Sequence, residues 1–399
     1  MISVGKALRI VANETKFLGA ESIAIENAVG RILAESIIAD MDMPPFDRSQ
    51  MDGFAIQAAD SMNAETELRI VGESAAGNGW SGTLKRGEAV RIMTGASLPK
   101  GADAVQKIEL IKESDDSIRV QEPTQRGRYI VERGAEVRSG KKVLEIGDEI
   151  TASNIAIPAA FGYAKVRVAK QPRVRVLATG SEIVAVDAKP DSDQIRNSNS
   201  VMLQAMAAAA GCKADVSPTA GDDIRGLRRA ISNAVKRSDI LITTGGVSVG
   251  KYDLTKAALF ELGGEIFFER VRLKPGKPTV FARLGKALVF GLPGNPVSAA
   301  VTFRLFIRPA IDRMRGRNRL KSAETFAVLT KDVKAPAERD TYLPGKLVIE
   351  SNGLQSVRPQ KWHGSSDFIG FSAADGLIVI DRGTAIPAGS VVRVLRMSI

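Results

Sequence analysis

Two lysines lie in the proline-rich stretch LKPGKP, and their spacing suits the binding of an oxyanion. Lys274 and Lys277 each directly precede a proline, Pro275 and Pro278. Proline fixes the backbone φ angle, so such a loop loses little conformational entropy when it becomes ordered. Two cations on a stiff loop could clamp one anion, and the pattern favours that interpretation over two solvated surface lysines.

A second loop, GLPGNP, has the sequence of a sharp turn that opens a helix. Gly291 and Gly294 let the backbone fold tightly, Asn295 can cap the helix, and Pro296 suits its first turn. The amino end of a helix offers N–H groups and a partial positive charge to an anion. A helix start without a ligand explains the same pattern equally well.

A third loop, TTGGVSVGKYD, comes close to a phosphate-binding P-loop. Gly245, Gly250 and Lys251 fit the spacing G-x-x-x-x-G-K, but Tyr252 stands where the motif needs a Ser or Thr hydroxyl for Mg²⁺. This mismatch excludes the nucleoside triphosphatase interpretation. Adjacent glycines still let backbone N–H groups point at an anion, or they form a tight strand-to-helix turn. Asp253 is either the cap of the next helix or a carboxylate placed to hold Mg²⁺.

The three loops could form one site if they lay at the same edge of a β-sheet, and residues 172–315 predict such a sheet. Apolar strands such as RVRVLATG and DILITTGG alternate with helical segments, which predicts a doubly wound parallel α/β sheet with helices on both faces. The helix over NSVMLQAMAAAAG would be capped by Ser198 or Asn199 and end at Gly211, and a hairpin would turn at Gly285. The loops ATGSE and AGDD and the three loops above all follow predicted strands, where open α/β sheets bind ligands.

Outside this region the sequence predicts short elements of both kinds. Residues 1–20 and 151–160 have helical apolar spacing, whereas residues 68–149 predict a small β domain of short strands separated by glycine turns. Residues 323–399 again hold short strands, with turns such as ESNG and PAGS. The last segment therefore predicts a β barrel or a small sandwich.

The amino-acid composition limits which metal sites and catalytic groups the chain can contain. The chain of 399 residues has one cysteine, Cys212, and one histidine, His363, which excludes an internal disulfide and the usual zinc clusters. A metal site must then use oxygen ligands, which favours Mg²⁺. A Ser–His or Cys–His hydrolase would rest on His363 alone, and a lone histidine is more often structural.

The charge balance indicates an anionic partner. Lys and Arg number 56 against 45 Asp and Glu, a net charge of +11 that suits phosphorylated ligands, oxyanions or nucleic acid, or is simply a solvated basic surface. The sequence has no long basic run and no interleaved aromatic residues, so we expect no nucleic-acid partner. No apolar stretch is long enough to cross a membrane and the N-terminus is unlike a signal peptide, so we expect a cytoplasmic protein.

Six blocks of the sequence are together specific enough to indicate a family. They occur in order along essentially the whole chain: PPFDRSQMDGFAI, VRIMTGASLPKGADAVQ, LATGSEI, TTGGVSVGKYD, LKPGKP and GLPGNPVSA. They resemble the molybdopterin molybdenumtransferases, the molybdenum insertases that are also represented by the C-terminal domain of gephyrin. The resemblance implies conversion of adenylated molybdopterin and molybdate, with Mg²⁺, into molybdenum cofactor and AMP. It further implies a homodimer with a composite cleft, and transient contact with the molybdopterin adenylyltransferase.

The fold implied by the resemblance agrees with the elements predicted above. Residues 172–318 would form a central doubly wound domain that binds molybdopterin, and residues 44–140 a β-rich lid domain. Residues 1–43 with 141–171 would form a helical linker domain, and residues 319–399 a C-terminal β barrel. The expected fold class is therefore α/β and multidomain.

The resemblance also implies roles for the residues that match the family's motifs. The implied catalytic residues are Asp52, Thr94, Glu182, Asp222, Asp253, Lys274 and Lys277. The implied substrate-binding residues are Gly245, Gly246, Ser248, Gly250, Arg270, Pro293, Gly294, Asn295, Pro296, Arg339 and Ser365. The implied Mg²⁺ ligands are Asp253 and Glu182.

Three positions depart from the family's pattern. Ser181 stands where the family often has Asp, Arg270 replaces a lysine of some members, and RNSN, beginning at Arg196, stands in place of DTN or a close variant. Ser181 removes a carboxylate next to Glu182, whereas Arg270 keeps a positive charge with a different geometry. Because the other acidic residues remain, we expect the activity to be retained.

Two other functions are compatible with the sequence. A molybdopterin adenylyltransferase-type enzyme would share the central fold, although the lid and barrel blocks argue against it. A non-catalytic, gephyrin-like scaffold would need none of the acidic loops that this chain retains. We therefore expect an enzyme of the insertase type.

Overall fold

The computed structural model describes residues 1–63, 65–246, 254–317, 324–361 and 363–397. The chain divides into two compact units. The first unit comprises Met1–Glu35, Ile146–Ala152 and Lys165–Ile399, and the second comprises Ser36–Glu145 and Ser153–Ala164. Within the described residues, no helix is long and apolar enough to cross a membrane.

The helices and strands of the described residues are mostly short. The α-helices are α1 (Val4–Glu14), α2 (Ala156–Ala160), α3 (Ser198–Ala209), α4 (Ile224–Val235), α5 (Leu254–Glu261), α6 (Pro296–Thr302), α7 (Arg308–Met314) and α8 (Phe368–Ser372). The strands before residue 150 are β1 (Ala20–Ala24), β2 (Ile37–Ile38), β3 (Arg48–Ser49), β4 (Gly53–Ile56), β5 (Thr66–Ser74), β6 (Glu88–Ile92), β7 (Ala104–Lys107), β8 (Ile111–Glu113), β9 (Ser117–Val120), β10 (Ile130–Val131) and β11 (Lys142–Leu144).

The remaining strands belong to the first unit. Those between residues 165 and 292 are β12 (Lys165–Ala169), β13 (Arg173–Ala178), β14 (Ile183–Val184), β15 (Ile195–Arg196), β16 (Lys213–Val216), β17 (Ile240–Thr244), β18 (Glu265–Phe268), β19 (Leu273–Lys274), β20 (Val280–Leu284) and β21 (Ala287–Leu292). Those near the C-terminus are β22 (Glu324–Leu329), β23 (Val333–Lys334), β24 (Asp340–Ile349), β25 (Gln355–Pro359), β26 (Gly376–Ile380), β27 (Ala385–Ile386) and β28 (Val391–Arg396).

The central sheet of the first unit has the strand order β16-β13-β17-β21-β20-β18. Strands β16, β13, β17 and β21 are parallel, as the alternation of strands and helices predicts. The predicted hairpin does turn at Gly285, where a φ of 60° favours glycine. The hairpin reverses β20 relative to β21, and β18 pairs antiparallel with β20. This side of the sheet is therefore mixed, not parallel.

The burial of the central strands explains the layers of the fold. Every residue of β17 and β21 is buried, as expected for strands that are covered on both faces. Ile240 and Ile242 belong to one apolar cluster with Leu203 of α3, whereas Leu241 belongs to another with Leu227 of α4. Successive side chains of a strand point to opposite faces. Helices thus cover both faces, which confirms the doubly wound arrangement.

The C-terminal part of the first unit is a closed barrel of five strands, which confirms the predicted barrel. Its strands pair in the order β24-β25-β22-β28-β26, and β26 closes the ring on β24. The interior is apolar and includes Ala327, Val357, Ile378 and Val394. Strand β19 pairs with the start of β24 and so joins the LKPGKP stretch to the barrel.

Strands outnumber helices among the regular elements of the second unit, in line with the predicted β-rich segment. Its main sheet has the order β7-β4-β6-β5-β9-β8. Strand β4 is buried along its whole length, with Phe54 and Ile56 in one apolar cluster and Ala55 in another. The sheet is therefore packed on both faces. Asp52 directly precedes β4, and Thr94 lies shortly after β6.

The helices predicted over residues 1–20 and 151–160 are shorter than expected. Helix α1 begins after Ser3, whose hydroxyl accepts a hydrogen bond from the N–H of Lys6. It ends at Glu14, because Thr15 adopts an extended conformation, and α2 covers only Ala156–Ala160. The segments expected to form a helical linker also contain the strand pairs β1–β12 and β2–β11. Pairing between distant segments overrides the local helical spacing there.

The LKPGKP and GLPGNP stretches lie at one edge of the central sheet. Strand β20 starts at Val280, which pairs with Gly291 near the end of β21, so the residues before β20 and after β21 share that edge. A Cβ on Gly276 would lie 2.6 Å from Cγ2 of Thr302, at the end of α6. LKPGKP therefore packs directly against the helix that GLPGNP opens.

We predict that Gly276→Ala lowers the free energy of unfolding by about 1–3 kcal/mol more than Gly285→Ala does. Both glycines have a positive φ, 112° and 60°, so both variants strain the backbone. Position 276 lacks room for a methyl group, whereas no described atom lies within 4 Å of a Cβ at Gly285. Urea unfolding followed by circular dichroism measures both variants, and equal losses would contradict the close packing of the loop on α6.

Candidate functional site

A cavity of about 680 Å³ opens at the carboxyl ends of β13, β17 and β21. Its lining includes Thr179 and Glu182 after β13, Gly245 after β17, and Gly294 and Asn295 after β21. Strand β16 lies on one side of β13 and β17 on the other, so the winding of the sheet reverses between β13 and β17. Open α/β sheets bind ligands at such a switch point, and three of the predicted loops meet there.

The turns after β13 and β17 touch each other closely. A Cβ on Gly245 would lie 2.4 Å from the carbonyl oxygen of Thr179, and one on Gly246 would lie 2.9 Å from the Oγ1 of Thr179. A side chain does not fit at these distances, so contact between the turns is enough to explain why both positions are glycine. Gly294 is also near, because its Cβ would lie 3.7 Å from the Cα of Gly245.

Asn199 ties two of these loops together from the first turn of α3. Its Nδ2 donates hydrogen bonds to the Oγ1 of Thr244 at 2.9 Å and to the carbonyl oxygen of Gly294 at 2.6 Å. The Oδ1 of Asn199 is buried and has no hydrogen-bond partner among the described residues. Asn199 thus holds two loops together at the cavity that it lines.

The prediction that Ser198 or Asn199 caps α3 is wrong. The cap is Asn197, whose side chain accepts a hydrogen bond from the N–H of Ser200 at 3.1 Å. The physical reason is that the amide of Asn199 is engaged with the neighbouring loops. The predicted end at Gly211 does hold, because this residue follows the helix with a φ of 85°.

Ser181 and Asp222 join the loop after β13 to the loop after β16. The N–H and the hydroxyl of Ser181 donate to the same carboxylate oxygen of Asp222, at 2.9 and 2.7 Å. The hydroxyl bond and then the N–H bond lower the pKa of Asp222, because both stabilise the ionised carboxylate. The residue that departs from the family's pattern thus supplies a donor where a second carboxylate would repel Asp222.

Glu182 is the predicted metal ligand that lies in the described part of the cavity. It is exposed, and its Oε2 would lie 2.3 Å from a Cβ on Gly180, so its carboxylate folds back over that glycine. No three Asp, Glu, His or Cys side chains gather into a metal site in the ranges that the structure describes. Mg²⁺ commonly uses one or two carboxylates together with phosphate oxygens and water. Glu182 with a bound phosphate therefore fits Mg²⁺.

The expectation that Asn295 caps α6 with its side chain is wrong. Asn295 occupies the capping position, but its Nδ2 donates to the Oγ of Ser365 at 2.8 Å. The N–H of Val297 donates to the carbonyl oxygen of Ser365 at 3.1 Å. The segment around Ser365 lies against the start of α6 and offers both acceptors. One of the N–H groups that were expected to be free for an anion is therefore already bonded.

The predicted cations lie beside the cavity, not in its lining. Lys274 is exposed and pairs with Thr341 of β24, while Arg339 directly precedes Asp340, the partner of the residue before Lys274. Lys277 is half-buried within the same stretch. Of the residues that the structure describes, the charged ones lining the cavity are Glu182 and Arg196. Arg270, also half-buried, precedes the stretch, and its carbonyl accepts a hydrogen bond from Ile2.

The predicted residues of the second unit contact each other. The N–H and the hydroxyl of Thr94 donate to the Oδ1 of Asp52 at 2.7 and 2.8 Å. These two bonds, the N–H bond first, lower the pKa of Asp52. Asp52 is exposed, so its second oxygen can accept a further bond or bind a cation.

The remaining predicted residues differ in position, and two residues that line the cavity were not predicted to do so. Ser248, Gly250 and Asp253 lie outside the described residues. Pro293 is buried at the end of β21, and Pro296 lines the cavity as the first residue of α6. In the sequence, Arg196 stands out only as a departure from the family's pattern and Asn199 only as a candidate helix cap. The signal that could have indicated them is their position, at the start of a helix that follows a predicted ligand-binding loop.

Three family models match successive parts of the chain. The MoeA N-terminal region (domain I and II) matches residues 2–162, and a probable molybdopterin binding domain matches residues 175–313. The MoeA C-terminal region (domain IV) matches residues 327–397. The cavity lies mainly in residues of the second match.

Relatives match over nearly the full length. A molybdopterin molybdenumtransferase of Staphylococcus aureus (strain COL) is 34% identical over 387 residues, which are 96% of this chain and 92% of the relative. A protein of the same name from Staphylococcus epidermidis (strain ATCC 12228) is 32% identical over 99% of this chain and 95% of its own. The crystal structure of the molybdopterin biosynthesis MoeA protein from Pyrococcus horikoshii is 31% identical, with a TM-score of 0.84 over 100% of this chain and 99% of that one.

We predict that Ser181→Ala raises the pKa of Asp222 toward its ordinary value, because the variant loses the hydroxyl donor and keeps the N–H donor. An NMR titration of the Asp222 carboxyl carbon measures the change. Ser181→Thr retains the hydroxyl and is the matched control. Identical titrations of Asp222 in the wild type and in Ser181→Ala would contradict the assigned contact.

The same contact gives stability a pH dependence of defined sign. Because the pKa of Asp222 is lowered in the folded state, its hydrogen bonds stabilise the fold above the ordinary carboxyl pKa. That stabilisation is lost as the pH falls through the lowered value. The difference in unfolding free energy between the wild type and Ser181→Ala is therefore expected to be largest near neutral pH and to shrink in acid.

Proposed function

The chain belongs to the molybdopterin molybdenumtransferase family, and we propose that it inserts molybdenum from molybdate into adenylated molybdopterin with release of AMP. The observation that carries the proposal is the cavity at the switch point of the central sheet, which lies mainly in the part that matches a probable molybdopterin binding domain. An adenylated pterin has heteroaromatic rings and a pyrophosphate. Ile183, Ile195 and Phe368 offer the rings apolar contact.

We assign different parts of the substrate to different loops around the cavity. Asn199 lines the cavity and holds its loops in place through the Nδ2 bonds to Thr244 and Gly294. The glycine turn at Gly245 and the start of α6 let phosphate oxygens approach the backbone. Lys274 and Lys277, on the stretch packed against α6, neutralise the charge of molybdate as it approaches the substrate's sulfurs. Arg270 and Arg339 would support them from adjoining positions.

The proposed reaction uses Mg²⁺, and Glu182 is the proposed ligand within the described residues. The carboxylate lines the cavity and would hold the ion together with phosphate oxygens of the substrate. Bound there, Mg²⁺ would polarise the phosphoanhydride and favour the departure of AMP. Asp253, outside the described residues, is the second proposed ligand.

We further propose how the protein assembles and where it is located. The family resemblance implies a homodimer with a composite cleft, to which Asp52 and Thr94 would contribute, and transient contact with the adenylyltransferase that makes the substrate. The homodimer can be checked by the mass of the protein in solution. We also propose a cytoplasmic location.

We predict that the purified protein releases AMP from adenylated molybdopterin only when both molybdate and Mg²⁺ are present. Glu182→Gln is expected to lower the rate about a hundredfold, since it removes the carboxylate charge that would hold Mg²⁺ against the substrate's phosphates. Glu26→Gln changes an exposed carboxylate after β1 and is the control. Chromatography of the released AMP gives the rate for the wild type and for both variants. Release without molybdate, or an unchanged rate in Glu182→Gln, would contradict the proposal.

A further inference from the structure

A small two-stranded arm forms one side of the cavity. The arm spans Glu182–Asn197, and its strands β14 and β15 run parallel, with Val184 paired to Arg196. The N–H of Ile195 donates to the carbonyl of Glu182 at 2.8 Å, and the N–H of Asn197 donates to the carbonyl of Val184 at 2.9 Å. After β14 the chain leads away from the cavity, and these bonds hold β15 against β14 where the chain comes back to it. The arm therefore places residues from both of its ends in the lining.

Arg196 is the cation that this arm brings to the cavity. Among the described residues of the lining, it carries the positive charge and Glu182 the negative one. The Nε of Arg196 donates to the carbonyl oxygen of Ala188 at 2.9 Å, within the arm. This bond orients the planar guanidinium, whose two terminal nitrogens have no hydrogen-bond partner within the described ranges. A guanidinium with two adjacent N–H donors matches two oxygens of one phosphate.

We propose that Arg196 binds a phosphate group in this cavity and thereby positions the adenylated substrate. The inference rests on the proposed function, which puts a pyrophosphate at this edge of the sheet. Lys274 and Lys277 lie outside the cavity lining, so Arg196 is the cation that the described lining residues offer to a phosphate inside it. Glu182 alone would repel that phosphate, whereas Glu182 with Mg²⁺ and Arg196 together neutralise it.

The test compares AMP with adenosine, which differ by the phosphate, in the absence of Mg²⁺. Isothermal titration calorimetry of the full-length wild type is expected to give AMP at least about tenfold tighter binding than adenosine, the effect of a charged hydrogen-bonded pair. Arg196→Gln is expected to bring this ratio close to one. Arg196→Lys is expected to give an intermediate ratio, because lysine keeps the charge without the two-pronged geometry.

The control is Arg229→Gln, which removes an exposed arginine on α4 and is expected to leave the ratio unchanged. The proposal is overturned if Arg196→Gln keeps the wild-type ratio, or if the wild type binds AMP no more tightly than adenosine. Inorganic pyrophosphate, used as a competitor of AMP, is expected to compete in the wild type and to lose its effect in Arg196→Gln. Persistent competition in the variant would also overturn it.

The outcome is separable from that of the proposed function. If the wild type releases AMP in a molybdate-dependent manner while Arg196→Gln keeps its preference for AMP, the role of Arg196 fails and the proposed function stands. If the preference collapses in Arg196→Gln but the wild type releases no AMP, the phosphate site stands and the proposed function fails. Circular dichroism of Arg196→Gln, expected to equal that of the wild type, excludes misfolding as the cause of weaker binding.

Discussion

The close approach of the turn after β13 to the turn after β17 is the constraint on which the rest of the site depends. The carbonyl oxygen of Thr179 would lie 2.4 Å from a Cβ at Gly245, so the two turns can meet only if that position has no side chain. Asn199 then bonds Thr244 and Gly294, which fixes the third loop against the first two. The cavity is the space that these contacts leave open at the carboxyl edge of the parallel strands.

The regular parts of the fold could be predicted because their causes are local. Alternating apolar strands and amphipathic helices predict the doubly wound sheet, and Gly285 predicts the hairpin that the structure contains. Helix caps were predicted less well. Asn295 has the right residue type and position, yet its side chain bonds Ser365, which is 70 residues away along the chain. A cap competes with every polar group that tertiary structure brings near, and no local pattern shows those competitors.

The distribution of positive charge in the candidate site illustrates the same limit. The lysines of LKPGKP attract notice because prolines flank them, and they do lie at the expected edge. In the sequence Arg196 stands out only as part of RNSN, a departure from the family's pattern, because its place in the cavity lining depends on the pairing of β14 with β15. Likewise Ser181 looks like the loss of a carboxylate, but in the fold it holds Asp222 with two hydrogen bonds. Both residues depart from the family's pattern. The role of each depends on contact with another segment of the chain, which the local sequence does not show.

One edge of the central sheet is proposed to receive both the nucleotide part of the substrate and molybdate. Diffraction at the molybdenum absorption edge, from crystals soaked with AMP and molybdate, tests this most directly, since molybdenum alone gives a strong anomalous signal there. We predict a molybdenum peak beside Lys274 and Lys277, with AMP in the cavity lined by Glu182 and Asn199. A molybdenum peak on another part of the chain, with the cavity empty of AMP, would contradict it.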